Sequence, residues 1–214
     1  MNSFLSLYHR SFAFRLCVGF AAAAALLGVL GIFTTNSHLI VPHFDEYVRL
    51  WVQSIASTNV TAAMRILTRL GSTLGLTALG MVVIGFFLYM RRLKYIGLLL
   101  LAMVGQGLLQ IGFKEIFERQ RPQAMFDYVI GDTPSFPSGH SIAATCFFGL
   151  LAYLISLELR SGAQKFIVWT LAVLIILLVG FSRVYFDVHY PSDVLAGYLA
   201  GVIWASSVAS GARS

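Results

Sequence analysis

The sequence predicts an all-α, polytopic membrane protein of six transmembrane helices, with a short interfacial helix in its first outer loop. Three observations carry that reading. Of 214 residues, 58% are apolar and only 11% are charged, with a mean hydropathy of +0.80. Soluble domains carry about a quarter charged residues. Six uncharged segments approach the length needed to cross a bilayer, about 20 residues. The remaining polar residues gather in the gaps between those segments.

The first span is read from Leu16 to Phe33, behind Arg10 and Arg15. Its apolar run exceeds the ~7–15 residues of a signal-peptide core, so an uncleaved helix is expected. The second runs from Leu70 to Met90, the third from Tyr95 to Phe113 and the fourth from Ser141 to Leu157. Phe166 to Ser182 and Val194 to Ala209 complete the set. No internal repeat is visible, and residues 1–214 are expected to form one domain. Between the first two spans, Phe44, Tyr47, Val48, Trp51 and Ile55 share one helical face, with Asp45, Glu46, Arg49 and Gln53 elsewhere. That pattern suits a helix lying in the interface, either guarding lipid access or simply capping the bundle. Gly71 with Gly75, and Gly197 with Gly201, have the four-residue spacing that lets helices approach closely in lipid. Asn59-Val60-Thr61 matches a glycosylation acceptor, a pattern too short to carry weight.

Charge and cysteine usage exclude other classes. The net charge of +6 comes from 15 scattered cations, without the dense basic stripe that a nucleic-acid backbone requires. Cys17 and Cys146 lie in apolar runs and form no disulfide framework. With both termini on one side, that side holds Arg10, Arg15, Arg91, Arg92, Lys94, Arg160, Lys165 and Arg213. The other side holds Arg49, Arg65, Arg69, Lys114, Arg119, Arg121 and Arg183. Once Lys114, Arg121 and Arg183 are reserved for a site, the positive-inside rule puts both termini in the cytoplasm and the site at the outer face.

That site is read from three clusters at the outer ends of the third to sixth spans: Lys114 with Arg121-Pro122, Pro137-Ser138-Gly139-His140, and Ser182-Arg183 followed by His189 and Asp193. Each alone has an ordinary structural explanation: a snorkelling cation, a capped helix start, a satisfied polar pair. Together they need a common anion, because two like charges about 4 Å apart repel by about 4 kcal/mol at an effective dielectric near 20. Phosphate suits forked guanidinium donors, a lysine point charge and the free N–H groups of a helix start where Gly139 permits close approach. His189 is the expected nucleophile, with Asp193 holding one ring nitrogen, and His140 the expected general acid and base. A divalent metal beside three cations is disfavoured, so neither a metal nor another cofactor is expected. Gln106, Gln110 and Lys114 lie four apart and form a polar stripe leading down from the site; it either bonds between helices or touches a lipid head group.

At these residues the sequence resembles the type 2 phosphatidic acid phosphatase family, integral-membrane lipid phosphatases whose superfamily includes vanadium haloperoxidases. Lys114-x6-Arg121-Pro122, Pro137-Ser138-Gly139-His140 and Ser182-Arg183-x5-His189-x3-Asp193 keep the family's order and spacing. The resemblance implies a metal-independent phosphatase acting on a membrane lipid phosphate through a phosphohistidine. It implies His189 as nucleophile, Asp193 as its partner, His140 as acid, and Lys114, Arg121, Ser138, Gly139 and Arg183 as phosphate ligands. Phosphatidic acid, phosphatidylglycerol phosphate and undecaprenyl diphosphate are all compatible substrates, and the short loop from Gln123 to Ser135 selects among none of them. A phosphotransferase, a vanadate-dependent haloperoxidase and an inactive scaffold are the competing readings. Asp187, inside the last spacer, is expected only to solvate its loop.

Overall fold

The computed structural model describes residues 2–35, 40–123 and 133–212. All regular structure among them is helical: α1 (Asn2–Thr35), α2 (Ile40–Ser54), α3 (Thr58–Leu70), α4 (Thr73–Tyr89), α5 (Leu93–Phe117), α6 (Gly139–Ala144), a π-helical turn (Thr145–Gly149), α7 (Leu150–Glu158), α8 (Gly162–Tyr185) and α9 (Pro191–Ala209). Five segments are long and apolar enough to cross a bilayer: Ser11–Thr35, Leu93–Phe117, Gly139–Glu158, Gly162–Tyr185 and Pro191–Ala209. A sixth is counted when α3 and α4, bent by 56° at their junction, are taken as one span.

Each predicted span is present, but the second begins later than the apolar run suggests. Ser72 caps α4, its hydroxyl accepting the Gly75 N–H at 3.1 Å. The polypeptide therefore turns at Gly71-Ser72 and leaves Leu70 on α3. The four-residue glycine pairs divide accordingly. Gly197 and Gly201 serve close packing of α9: a Cβ at Gly197 would lie 2.8 Å from Ser141 Cβ, and one at Gly201 2.7 Å from Thr145 Cβ. Gly75 instead serves the bend, since its Cβ would strike the carbonyl of Arg69.

The core runs along α5, α6, α7 and α9, with Leu99, Ala102, Leu109, Ile142, Phe147, Leu154 and Trp204 buried together. In a bilayer such contacts act through close packing and interhelical hydrogen bonds more than through dehydration. Trp204 Nε1 accordingly donates to the Ala102 carbonyl at 3.0 Å, and α1 packs chiefly along α9. At the end of the bundle away from α2, Glu158 accepts from Tyr95 Oη at 2.8 Å and pairs with Arg92.

Two helices, α2 and α3, lie between α1 and α4, where one was expected. On α2 Asp45, Arg49 and Gln53 face the protein, Asp45 being 1% exposed, while Glu46, Tyr47, Leu50 and Trp51 lie on the surface. The following α3 is amphipathic and packs on α8.

Candidate phosphate site

Local sequence places each candidate side chain at the same end of the bundle. Lys114 occupies the last turn of α5. The Phe136–Pro137 peptide is cis and leads into α6, where Gly139 and His140 occupy the first turn. Arg183 closes α8, a short connection carries Asp187 and His189, and Pro191 starts α9 with Asp193 in its first turn. Residues 124–132, the middle of the loop read as selecting no substrate, lie outside the described residues.

Six of the predicted residues, Lys114, Arg121, Gly139, His140, Arg183 and His189, line one cavity of about 750 Å³. Ser138 and Asp193 are fully buried behind it. The Ser138 N–H donates to the Asp193 carbonyl at 3.1 Å, and the Ser138 hydroxyl accepts from Ser141 at 2.9 Å. Ser138 therefore ties α6 to α9; its side chain makes no cap hydrogen bond to α6.

Arg121 is the hub of the cavity mouth. Its Nε donates to the Thr133 carbonyl at 2.7 Å and its Nη1 to the Val188 carbonyl at 2.6 Å. Nη1 also stands 3.1 Å from His189 Nε2. Because a guanidinium only donates, that contact requires a lone pair on Nε2 and puts the ring proton on Nδ1. Nδ1 lies 3.6 Å from Asp193 Oδ2 and 3.4 Å from Ser135 Oγ. Burial pushes the His189 pKa down from 6.5 to about 4, with Asp193 opposing the shift and Arg121 and Arg183 reinforcing it. Burial also lowers the pKa of Arg121, followed by the charge of Arg183. Lys114 Nζ donates to the Pro134 carbonyl, and Arg183 Nη1 donates to Thr68 Oγ1 at 2.6 Å. His140 Nε2 is buried with no hydrogen-bond partner among the described residues.

Several participants escaped the sequence reading. Arg119, counted there as a loop cation, donates from Nη1 to Asp193 Oδ1 and from Nη2 to Asp45 Oδ2 at 2.8 Å. Ser135 Oγ donates to Asp193 Oδ2 at 2.5 Å, and the Tyr190 N–H donates to the same oxygen at 3.0 Å. Asp187 does not solvate a loop: it is 2% exposed and takes both Nε and Nη2 of Arg49, at 2.6 and 2.7 Å, as well as Gln53 Nε2 at 3.1 Å. The available signal was the placement of Asp45, Arg49 and Gln53 on one side of α2, which marks a face seeking polar partners as readily as water.

The PAP2 superfamily model matches residues 93–212, which include every residue of the three clusters. Phosphatidylglycerophosphatase B of Bacillus subtilis strain 168 is 38% identical over 162 residues, covering 74% of this chain and 78% of that protein. The chain belongs to the PAP2 superfamily. It is a membrane phosphatase of that family. The crystal structure of the first transmembrane PAP2 type phosphatidylglycerolphosphate phosphatase from Bacillus subtilis superposes on it with a TM-score of 0.80 at 29% identity, covering 91% of this chain and 96% of that one. The lipid A 1-phosphatase of Rhizobium etli is 35% identical over 107 residues, 46% of this PAP2 chain and 42% of that protein.

Proposed function

We propose that this PAP2 enzyme hydrolyses the phosphate ester of a membrane lipid through a phosphohistidine at His189. The supporting observation is the contact between Arg121 Nη1 and His189 Nε2, which marks a place where a donor and an imidazole lone pair face the same cavity. A phosphoryl group entering there exchanges the Arg121–His189 contact for bonds from Arg121 to its oxygens and leaves Nε2 aimed at phosphorus.

The proposed chemistry has two displacements. In the first, Nε2 of His189 attacks phosphorus, the phosphorus–oxygen bond to the lipid alcohol breaks, and His140 gives its proton to the departing alkoxide. In the second, water attacks phosphorus, the phosphorus–nitrogen bond breaks, and His140 takes the proton of that water. Lys114, Arg121, Arg183 and the N–H of Gly139 bind the phosphoryl oxygens, Ser138 supports that turn from behind by its bond to the Asp193 carbonyl, and Asp193 keeps the His189 proton on Nδ1. These are roles of protein groups alone, and the reaction is proposed to need no metal.

The cavity's shape supports a lipid substrate. It descends from the cations between α4 and α5, past Leu76, Gly80, Ile84, Leu99 and Met103, so an apolar chain has a lined path beside the phosphate. We assign the protein to a bacterial cytoplasmic membrane on its likeness to the Bacillus subtilis protein, with both termini inside and the cavity mouth at the outer face on the charge asymmetry of the loops.

The direct test is release of inorganic phosphate from phosphatidic acid by the full chain in detergent. Activity is expected to survive chelators and to disappear in His189→Ala and in His140→Ala. Undiminished turnover in either histidine variant rejects the mechanism. Transfer of phosphate to an added alcohol in preference to water would make the enzyme a phosphotransferase.

A further inference from the structure

One polar side chain in the cavity has no part in the chemistry above. Gln106, two turns below Lys114 on α5, lines the cavity and is 8% exposed. Its Oε1 is buried and accepts no hydrogen bond from any described residue. A spanning-helix glutamine ordinarily bonds a neighbouring helix, because lipid offers no donor. The bundle meets that need elsewhere on the same helix, where the Ala102 carbonyl receives Trp204 Nε1. At Gln106 Oε1 no described residue does.

The level of Gln106 relative to the phosphate can be fixed through Gln110. A Cβ on Gly139 would lie 2.4 Å from Gln110 Nε2, so the Gln110 amide packs against the start of α6 beside His140. Gln106 is one helical turn deeper, about 6 Å along the axis. A group bonded to Gln106 Oε1 must therefore sit just beyond the phosphoester oxygen and must be a donor. A diacylated glycerol phosphate presents only ester oxygens there, which cannot donate. A polyprenyl chain presents no polar atom. A hydroxyl on the second carbon of the phosphorylated alcohol supplies a donor within the span of a P–O–C–C–O fragment and the glutamine side chain.

We infer that Gln106 is a specificity-determining residue that accepts a hydrogen bond from a free hydroxyl on the second carbon of the substrate's phosphorylated alcohol. The inference rests on the phosphatase reading of the same site. Such a hydroxyl is carried by the glycerol of a monoacylglycerol phosphate or by a glycerol head group placed between two phosphates; in both, the recognised chemistry is the secondary hydroxyl.

The experiment compares two matched pairs with the full chain in detergent: 1-oleoylglycerol 3-phosphate against its 2-deoxy analogue, and phosphatidylglycerol phosphate against the analogue lacking the head-group hydroxyl. The wild type is expected to favour the hydroxyl-bearing member of at least one pair by about tenfold in kcat/KM, the effect of one hydrogen bond to an otherwise unsatisfied buried group. Gln106→Leu is expected to bring that ratio close to one, and the pair in which this occurs identifies the source of the hydroxyl. A wild-type ratio near one in both pairs, or a ratio unchanged by the substitution, overturns the inference and leaves the phosphatase reading standing. No phosphate release from any of the four compounds overturns both. Should Gln106→Leu not yield a folded protein, Gln106→Asn, which withdraws the amide by one methylene, is judged by the same ratio.

Discussion

Asp45 and Asp193 hold opposite arms of a single guanidinium, that of Arg119. Asp45 also accepts the Ser192 N–H at 2.8 Å and the Ser192 hydroxyl at 2.6 Å. Helix α2 is thereby fastened to the first turn of α9, the turn that carries the carboxylate beside His189. Arg119, Asp45 and Asp193 are all nearly excluded from solvent, at 9%, 1% and 0% side-chain exposure.

Removing that guanidinium leaves two buried carboxylates without their counter-charge. Arg119→Met is expected to cost about 3–5 kcal/mol, as for breaking one side of a buried pair. The thermal midpoint in detergent should drop accordingly, and kcat should fall because Asp193, still held at Oδ2 by Ser135 and the Tyr190 N–H, loses the donor that fixes its other oxygen. Arg119→Lys keeps the charge without the fork and should recover only part of each loss.

The proposed division of labour between the histidines is separable by leaving group. The aryloxide of an aryl phosphate departs without protonation, so the first displacement on it should be far less sensitive to His140→Ala than that on an alkyl phosphate. The second displacement, which still needs a base for water, should be slowed. Rapid-quench measurements with radiolabelled aryl phosphate are then expected to show accumulated phosphoenzyme in His140→Ala and none in His189→Ala.

As the proposed nucleophile, His189 is expected to set an acid limit. Its pKa is lowered from 6.5 to about 4 in the folded protein, chiefly by burial. The imidazole is therefore unprotonated through most of the acid range, and kcat/KM, corrected for substrate ionisation, is expected to hold to about pH 5 and fall as pH drops through 4. Stability follows the same group with a defined sign. Between 6.5 and about 4 the unfolded chain binds a proton that the folded one refuses, so this contribution is complete above pH 6.5 and is lost as pH falls through about 4. Replacing His189 by Gln should flatten that part of the stability profile, which a thermal series in buffered detergent will reveal.

Close packing behind the site can be probed at Gly197. A Cβ there would approach the Ser138 carbonyl oxygen to 2.9 Å, and that backbone belongs to the segment that presents Gly139 and His140. Gly197→Ala is expected to cost about 1–3 kcal/mol by overpacking and to lower kcat. Gly112→Ala, with nothing within 4 Å of its Cβ, is the matched control and should be neutral or slightly stabilising. Equal thermal midpoints and rates for the two variants would refute the packing argument.

What could be read directly from the chain was whatever depends on neighbours in sequence. The spans were legible because transfer to lipid is summed over consecutive residues, and the start of α9 was legible because Pro191 suits a first helical turn. Lys114, Arg121, His140, Arg183 and His189 were legible as a set because one anion is the common requirement of several cations, wherever the chain brings them. The break at Gly71-Ser72 was not, since an apolar window does not register a serine cap within it. Nor were the partners of Asp45, Arg49, Arg119 and Asp187, whose charges sit on helices and loops far apart in the sequence. Their pairing is set by which helix faces meet, and a polar face on α2 looks the same in sequence whether it meets water or a buried carboxylate. The same holds for Gln106: its spacing from Lys114 was plain, but only the packed bundle decided that it would line the cavity with an acceptor that no described residue fills.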